Sequence, residues 1–253
     1  VEIKDFTKPV DIPAVDVPAG YTTLFVFPYS VGFQFSGFKN LAALNEAITK
    51  RLKNLGVTTL LFMRHLELIE YEIKIPGKEA SGEYLLDAEP INDHCTRVSA
   101  IESEDDKTDE SLSFIKFSMP IDSRVSTRTI DVAFTVATDK EGKTTFQKAK
   151  NPYISVYFPT ETESKLDFIV QGPFRTTPNR SSVPADEEEN EALAEQTAKL
   201  LRQSVLELRD MGLLDLSLIR ILPLDEDDFD VYPLFYPLYE EILDLFLSER
   251  VLP

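Results

Sequence analysis

The sequence predicts an α+β fold, a largely antiparallel twisted sheet with packed helices and a helical C-terminal portion. Three observations support this prediction. Residues 69–75 alternate apolar and charged side chains, and this period of two is typical of a half-buried strand. From there to residue 170 the chain holds further short runs of β-branched and aromatic residues, which favour strands. Beyond residue 184 apolar residues recur at steps of three and four, the spacing of an amphipathic helix, as in Leu201, Val205 and Leu208.

The N-terminal part is predicted to contain a strand, a helix and a second strand. Residues 22–27 are rich in strand-forming side chains and are followed by a proline. Over residues 40–55 leucine and isoleucine share one helical face, with Asn40 as a suitable N-cap and Gly56 as a suitable stop. Residues 57–63 form an apolar run that predicts a buried strand. Together these segments predict a βαβ unit.

Six further strands are predicted after the alternating segment. Asp139–Gly142 carries turn-forming residues, so the strands on either side of it should form a hairpin. Residues 102–110 contain six carboxylates and are interpreted as a solvated loop. The alternative, a calcium site, lacks the spacing and the glycine of a calcium-binding loop. The six predicted strands are residues 96–103, 112–119, 129–138, 144–148, 153–158 and 166–170.

The C-terminal portion is predicted to be helical. Asp186 and Glu189 have the spacing of a capping arrangement, which predicts a helix from there to about Asp210. Gly212 should end that helix, because glycine follows many helix C-termini. The remaining elements are a short apolar segment at residues 214–222, an acidic connector at 225–230 and a last helix after Pro237.

The composition limits the class of partner. The chain has 44 acidic and 26 basic residues, and its formal net charge of -18 opposes binding to nucleic acid or to an anionic membrane. An anionic ligand therefore needs a local cluster of basic groups. The sequence shows no run of about twenty apolar residues and no secretory signal, and because it opens at Val1 it is interpreted as a fragment or processed form.

Few residues offer reactive chemistry. Cys95 is the single cysteine, which excludes an intramolecular disulfide, fits a reducing cytoplasmic setting and predicts a small buried filler. His65 and His94 are too few and too far apart to indicate a metal site or a catalytic triad. No nucleophile, base or metal constellation is apparent, so the sequence does not support a free-standing enzyme.

Residues 172–184, which we call the hinge loop, lie between the predicted sheet and the predicted C-terminal helices. The loop holds two arginines, one asparagine and several hydroxyl groups between three prolines. Arginine presents a planar fork of donors that matches phosphate or carboxylate oxygens, and a following helix points its N-terminus at the same place. Two interpretations remain open: an anion-facing loop, and a structural connector whose arginines pair with the acidic surface.

The sequence around the hinge loop resembles a known family. Residues 168–184, Phe-Ile-Val-Gln-Gly-Pro-Phe-Arg-Thr-Thr-Pro-Asn-Arg-Ser-Ser-Val-Pro, resemble a segment of large bacterial sacsin-like proteins. These belong to the GHKL superfamily of ATP-binding proteins, together with heat-shock chaperones and type II topoisomerases. Residues 24–28 resemble the strand that closes the family's ATPase fold, 58–64 the strand after its connecting helix, and 236–242 a helix beyond its hinge.

The resemblance implies a domain organisation and a set of partners. Residues 1–38 would be the end of a preceding ATPase-like domain or an extended leading segment, 39–184 an α+β transducer-like middle domain, and 185–253 a helical C-terminal portion. The partners would be the neighbouring ATPase domain, protein clients and, in the full-length protein, a second copy in a homodimer.

The resemblance also implies roles for four residues of the hinge loop. Arg180 is the candidate catalytic residue, which would reach the γ-phosphate of a nucleotide held in the neighbouring domain, and Arg175, Thr177 and Asn179 would contact the nucleotide. The superfamily's own nucleotide-binding motifs are not found in this chain, so ATP and Mg are implied only for the full-length protein, and no metal site is predicted here. The alternative function is an acidic protein-interaction or scaffold module with no nucleotide role.

Overall fold

The structure, a computed structural model, describes residues 19–23, 39–63, 65–104, 110–122 and 125–248. The chain divides into two compact units, residues 1–48 and 49–253. Residues 24–27 of the first predicted strand and 105–109 of the acidic loop lie outside the described ranges. The domain boundaries implied by the family resemblance stay a prediction.

The first helix, α1, spans Leu41–Lys53, close to its predicted bounds. The backbone N–H of Ala43 donates to Asn40 Oδ1 at 2.9 Å, which confirms Asn40 as the N-terminal cap. Gly56 has a φ of 83°, a conformation that glycine adopts without strain, and it turns the chain after the helix.

The predicted strand at residues 57–63 is wrong, and with it the βαβ unit. Val57–Leu60 forms a 3₁₀ helix instead. Thr59 donates its N–H to the carbonyl of Gly56 at 3.0 Å and its hydroxyl to the carbonyl of Leu55 at 2.5 Å, so these backbone acceptors are satisfied locally. Leu60 and Leu61 are buried against one face of the sheet. The apolar run thus covers the sheet without joining it.

Nine strands of the described residues form one mostly antiparallel sheet, which confirms the α+β prediction. Their order is β1-β2-β3-β4-β5-β9-β7-β8, and β6 pairs with β5. β7 and β9 are parallel. The strands are β1 Leu68–Ile75, β2 Lys78–Pro90, β3 Cys95–Glu104, β4 Glu110–Asp122, β5 Val125–Thr138, β6 Thr144–Gln147, β7 Tyr153–Val156, β8 Phe158–Glu163 and β9 Ile169–Gln171.

The strands β2 and β8 were not predicted from the sequence. β2 contains Gly82, which weakens the strand pattern but is favoured here, because a Cβ on Gly82 would lie 2.8 Å from the backbone carbonyl of Ser103 and 2.5 Å from the Tyr71 hydroxyl. The hairpin predicted at Asp139–Gly142 is confirmed between β5 and β6. Asp139 Oδ1 accepts the N–H of Lys143 at 2.9 Å, and Gly142 has a φ of 81°.

Each face of the sheet has its own apolar core. The larger core lies between the sheet and the C-terminal helices, and the smaller lies under the segment that includes the 3₁₀ helix at 57–60. Cys95 is fully buried in the larger core, as predicted for a small filler. Burial, aided by the negative charge of Glu207, raises the pKa of the Cys95 thiol to about 12, so the thiol stays protonated.

The C-terminal portion is helical, as predicted. It contains α2, Glu188–Asp210; α3, Leu216–Ile219; and α4, Tyr236–Ser248. The predicted cap of α2 is wrong: the N-cap is Glu187, and Glu189 binds Arg175 instead of turning back to the helix start. Among the described helices, none combines the length and the apolar character needed to cross a membrane.

Asp215 fixes the start of α3 and its junction with β6. Its Oδ1 accepts the N–H groups of Ser217 at 2.8 Å and Leu218 at 3.2 Å, and its Oδ2 lies 2.7 Å from Lys143 Nζ. Burial alone would raise the pKa of Asp215, but the hydrogen bonds from Lys143, Ser217 and Leu218 outweigh it and lower the pKa from 3.8 to about 2.

We expect Asp215→Ala to lower the free energy of unfolding by about 1 kcal/mol near neutral pH, the usual loss for a helix N-cap. Because the folded pKa is lowered, the stabilisation by the ionised Asp215 is present above its unfolded pKa and is lost as the pH falls towards 2. Urea unfolding at several pH values checks this, and a gap between wild type and variant that widens on acidification would contradict it.

Candidate anion-binding loop

The hinge loop leaves the end of β9 through Gly172, a position with little room for a side chain. The N–H of Gly172 donates to the carbonyl of Ser155 on β7 at 3.1 Å. A Cβ on Gly172 would lie 2.8 Å from the buried ring of Phe174, which would have to shift, and 3.2 Å from Ile130, a tight contact. Phe174 is buried edge-to-face against Phe235, with ring centroids 5.9 Å apart. The start of the loop is therefore fixed to the sheet and to the C-terminal portion.

The two ends of the loop are joined by the buried side chain of Asn190 in the first turn of α2. Asn190 Oδ1 accepts the N–H of Arg175 at 2.7 Å. Its Nδ2 donates to the carbonyl of Arg175 at 3.1 Å and to that of Pro184 at 2.8 Å. Asn190 is 0% exposed, so three backbone groups depend on one carboxamide. Sequence reasoning missed this residue, and its only signal was a weak helix former within an acidic first turn.

The tip of the loop is a turn held by its own side chains. Asn179 Oδ1 accepts the hydroxyls of Thr177 at 2.7 Å and Ser181 at 2.9 Å. The N–H of Arg180 donates to the carbonyl of Thr177 at 2.8 Å, which closes the turn. Thr177 and Asn179, the predicted nucleotide contacts, therefore shape the turn that presents Arg180.

Arg180 lies at the exposed tip of this turn. Its φ of 59° is in the left-handed region, which is unusual for arginine. Its Nη2 donates to the carbonyl of Val156 at 3.1 Å. Val156 is followed by Tyr157, whose φ of 65° is also in the left-handed region. Within the described part of the chain Arg180 forms no ion pair. Its positive charge is therefore not offset by a carboxylate there.

Arg175 differs from Arg180 because it has a carboxylate partner. Its Nε and Nη2 donate to the two carboxylate oxygens of Glu189 at 2.5 and 2.6 Å, a two-point pair. The hydrogen bond with Glu189 raises the pKa of Arg175, and the same bond lowers the pKa of Glu189. Arg128 on β5 also lowers the pKa of Glu189 through its charge. Arg175 therefore fits the interpretation of the loop as a structural connector whose arginines pair with acidic residues.

The second half of the loop is anchored to β8 and to the C-terminal portion. The carbonyl of Ser181 accepts the N–H of Glu161 at 3.0 Å, and Val183 donates its N–H to Thr162 Oγ1 at 3.0 Å. The hydroxyl of Tyr232 donates to the carbonyl of Val183 at 2.7 Å, and burial raises the pKa of Tyr232 above its ordinary value. The loop therefore contacts the sheet edge, α2 and the segment before α4.

A buried carboxylate lies where the loop begins. Asp131 on β5 is 5% exposed and pairs across the sheet with Gln171, which is 2% exposed. With its carboxamide oriented to satisfy both neighbours, Gln171 donates to Asp131 Oδ2 and accepts the N–H of Gly172 at 3.3 Å. Thr129 Oγ1 also donates to Asp131, at 3.0 Å. Sequence reasoning missed Asp131, whose signal is a single carboxylate within a largely apolar strand.

Three comparisons, with protein families, with curated proteins and with solved structures, found no match to this chain. The resemblance to GHKL proteins, the implied ATP and Mg and the implied partners therefore stay predictions. Among the described residues no group of three or more His, Cys, Asp or Glu side chains is arranged to hold a metal ion.

We expect Asn190→Ala to lower the free energy of unfolding by about 3 kcal/mol, because it leaves backbone groups of Arg175 and Pro184 buried without partners. Glu191→Ala, an exposed position in the same helical turn, is the matched control and should change stability by less than about 0.5 kcal/mol. Urea unfolding of both variants measures the difference. Equal losses in the two variants would show that the carboxamide does not hold the loop.

Proposed function

We propose that this chain is a transducer-like relay of a GHKL-type ATPase, in which Arg180 contacts the terminal phosphate of a nucleotide held in a neighbouring ATPase domain. One observation carries the proposal: Arg180 is exposed, is presented by an ordered turn and forms no ion pair within the described residues. In a chain with a net charge of -18, an arginine without a carboxylate partner is a suitable contact for a phosphate.

The geometry favours Arg180 over Arg175 for this contact. A phosphate at Arg175 must first displace Glu189, whose carboxylate already occupies the arginine fork. At Arg180, among the residues that the structure describes, a phosphate competes only with one hydrogen bond to the Val156 carbonyl, a neutral acceptor. Because an arginine has five N–H donors, Arg180 can bind a phosphate and retain that bond.

The anchoring of the loop supports a relay. A force on Arg180 acts on a turn that is bonded to β7 through Val156 and to β8 through Glu161. The ends of the same loop are held by Asn190 of α2, and Val183 is held by Tyr232 before α4. A displacement of the turn can therefore reach the sheet and the C-terminal helices as a movement of packed elements.

The chemistry assigned to this chain is limited to the arginine. A cation supplied from a second domain neutralises the charge that develops on a transferred phosphoryl group and makes hydrolysis depend on domain closure. The nucleotide and its Mg would be held by the neighbouring domain. The proposal includes a cytoplasmic location and no ATPase activity for the chain by itself.

We expect Arg180→Ala to lower ATP turnover in the longer protein by roughly 100-fold or more, within the range for charge-stabilising donors to a transition state. Arg180→Lys should recover only part of the loss, because lysine lacks the planar fork. Arg220→Ala is the matched control, since Arg220 is an exposed arginine after α3 with no ion pair among the described residues. Turnover at saturating ATP is the measurement, and equal turnover in Arg180→Ala and Arg220→Ala would contradict the role of Arg180.

A second candidate function, an acidic protein-interaction module, is favoured by a groove between α2 and α4. The groove has a volume of about 400 Å³. Beside it, Arg202 lies 3.1 Å from Glu241 and 2.8 Å from Asp244. Its lining residues are Glu195, Ala198, Lys199, Pro237, Glu240, Glu241 and Asp244, with four carboxylates and one lysine. The excess negative charge suits a basic partner.

We expect Glu240→Lys to weaken binding of a fluorescent oligo-lysine peptide several-fold more than Glu79→Lys, because both residues are exposed but only Glu240 lines the groove. Fluorescence anisotropy at low and at high salt measures both affinities, and the difference should shrink as salt screens the charges. Equal effects of the two substitutions would show that net charge alone attracts the peptide.

A further inference from the structure

The two end strands of the sheet, β1 and β8, differ in how their outer edges are protected. β8 contains Pro159, its register against β7 shifts, and the hinge loop covers its edge, because the N–H of Glu161 donates to the carbonyl of Ser181 at 3.0 Å. These features commonly prevent a strand from pairing with another chain. β1 contains no proline, and its register against β2 runs from Leu68 to Ile75 without a shift. Within the described part of the chain, no strand pairs with the other side of β1, which we call the free edge.

The hydrogen-bonding pattern shows which backbone groups of β1 face the free edge. The N–H of Leu86 on β2 donates to the carbonyl of Glu67 at 2.7 Å, in continuation of the register of the two strands. Antiparallel strands alternate between bonded and non-bonded pairs, so Glu70, Glu72 and Lys74 occupy positions that are not bonded to β2. Their N–H and C=O groups therefore point away from β2. Within the described ranges these groups have no strand to bind, which leaves donors and acceptors available to a further strand.

The side chains of β1 give the free edge one apolar face and one charged face. The apolar residues belong to the smaller core or pack against it, and they are Ile69, Tyr71, Ile73 and Ile75. The exposed charged residues are Glu70, Glu72 and Lys74. A strand that pairs with this edge must show the same alternation, because a strand with another pattern would place charges beside the core. A second copy of β1 meets this requirement.

The charges of β1 match those of a second copy in one antiparallel register. With a two-fold axis at Glu72, Glu70 lies opposite Lys74 of the partner subunit, and such opposite charges stabilise a strand pair. The same register places Tyr71 opposite the partner subunit's Ile73, so the apolar face continues. An axis at Tyr71 would instead place Glu70 opposite Glu72 of the partner subunit, which is a like-charge pair. In the first register the two copies of Glu72 face each other, and Lys74 Nζ lies 2.6 Å from Glu72 Oε1 in each chain.

We propose that the free edge of β1 pairs antiparallel with the free edge of a second copy of this chain, about an axis at Glu72, and joins the two sheets into one. Each outward residue then exchanges two hydrogen bonds with the residue opposite. The net charge of -18 on each copy opposes this association, but at physiological salt charges further apart than about 8 Å are largely screened. The inference goes beyond the proposed function, because it requires neither Arg180 nor a nucleotide.

The test is sedimentation velocity of this chain over a range of concentrations at about 0.15 M salt, which measures the Kd of the dimer. Glu72→Pro should raise this Kd roughly tenfold or more, because proline removes the outward N–H and no bond to β2 is lost. Glu72→Thr is the matched control, since it removes the same side chain and keeps the N–H. Its Kd should fall by roughly two- to five-fold, because the like-charge contact at the axis is removed.

Charge reversal tests the register. Glu70→Lys should raise the Kd, because it places lysines opposite each other, and the added change Lys74→Glu should restore the Kd. A wild-type chain that stays monomeric at about 1 mM, or equal Kd values for Glu72→Pro and Glu72→Thr, would overturn the inference. Urea unfolding shows whether Glu72→Pro keeps the fold. If it does not, the charge reversal decides alone, and a double variant that dimerises no better than Glu70→Lys overturns the inference.

Discussion

The carboxamide of Asn190 is the constraint on which the hinge loop depends. A loop with three prolines cannot satisfy its backbone groups by forming a helix or a strand, so a side chain must supply the missing partners. Asn190 does this for both ends of the loop at once, from a position with no exposure to solvent. Because the same residue belongs to the first turn of α2, the loop and the helix are positioned together.

The two arginines of the loop have different partners because they lie at different positions in it. Acidic residues at the start of α2 interact favourably with the helix dipole, and one of them, Glu189, also binds Arg175. Arg180 has a left-handed backbone conformation, and its side chain donates to the carbonyl of Val156. An excess of negative charge over the whole chain therefore does not give every arginine a carboxylate partner among the described residues.

The two main errors made from sequence have different physical causes. Residues 57–63 have the composition of a buried strand, and they are buried, but the turn at Gly56 and the local hydrogen bonds of Thr59 place them across the sheet. β2 was missed because Gly82 and several charged residues obscure its pattern, although its register against Tyr71 favours a glycine. Local hydrogen bonds therefore decided the first case, and a close contact with the neighbouring strand decided the second.

The sequence by itself determined the fold class, most strands and the extent of α2, because these follow from local periodicity. It also determined the N-terminal cap of α1 at Asn40 and the hairpin at Asp139, which follow from cap and turn chemistry. It also identified the hinge loop as a segment rich in hydrogen-bond donors. Only the tertiary structure decided which donors are engaged, since the partners of Arg175, Arg180 and the loop ends lie on other elements. Hydrogen bonds between segments that are far apart in the chain leave no periodic trace in the sequence, and those bonds decide that Arg175 binds a carboxylate whereas Arg180 binds a backbone carbonyl.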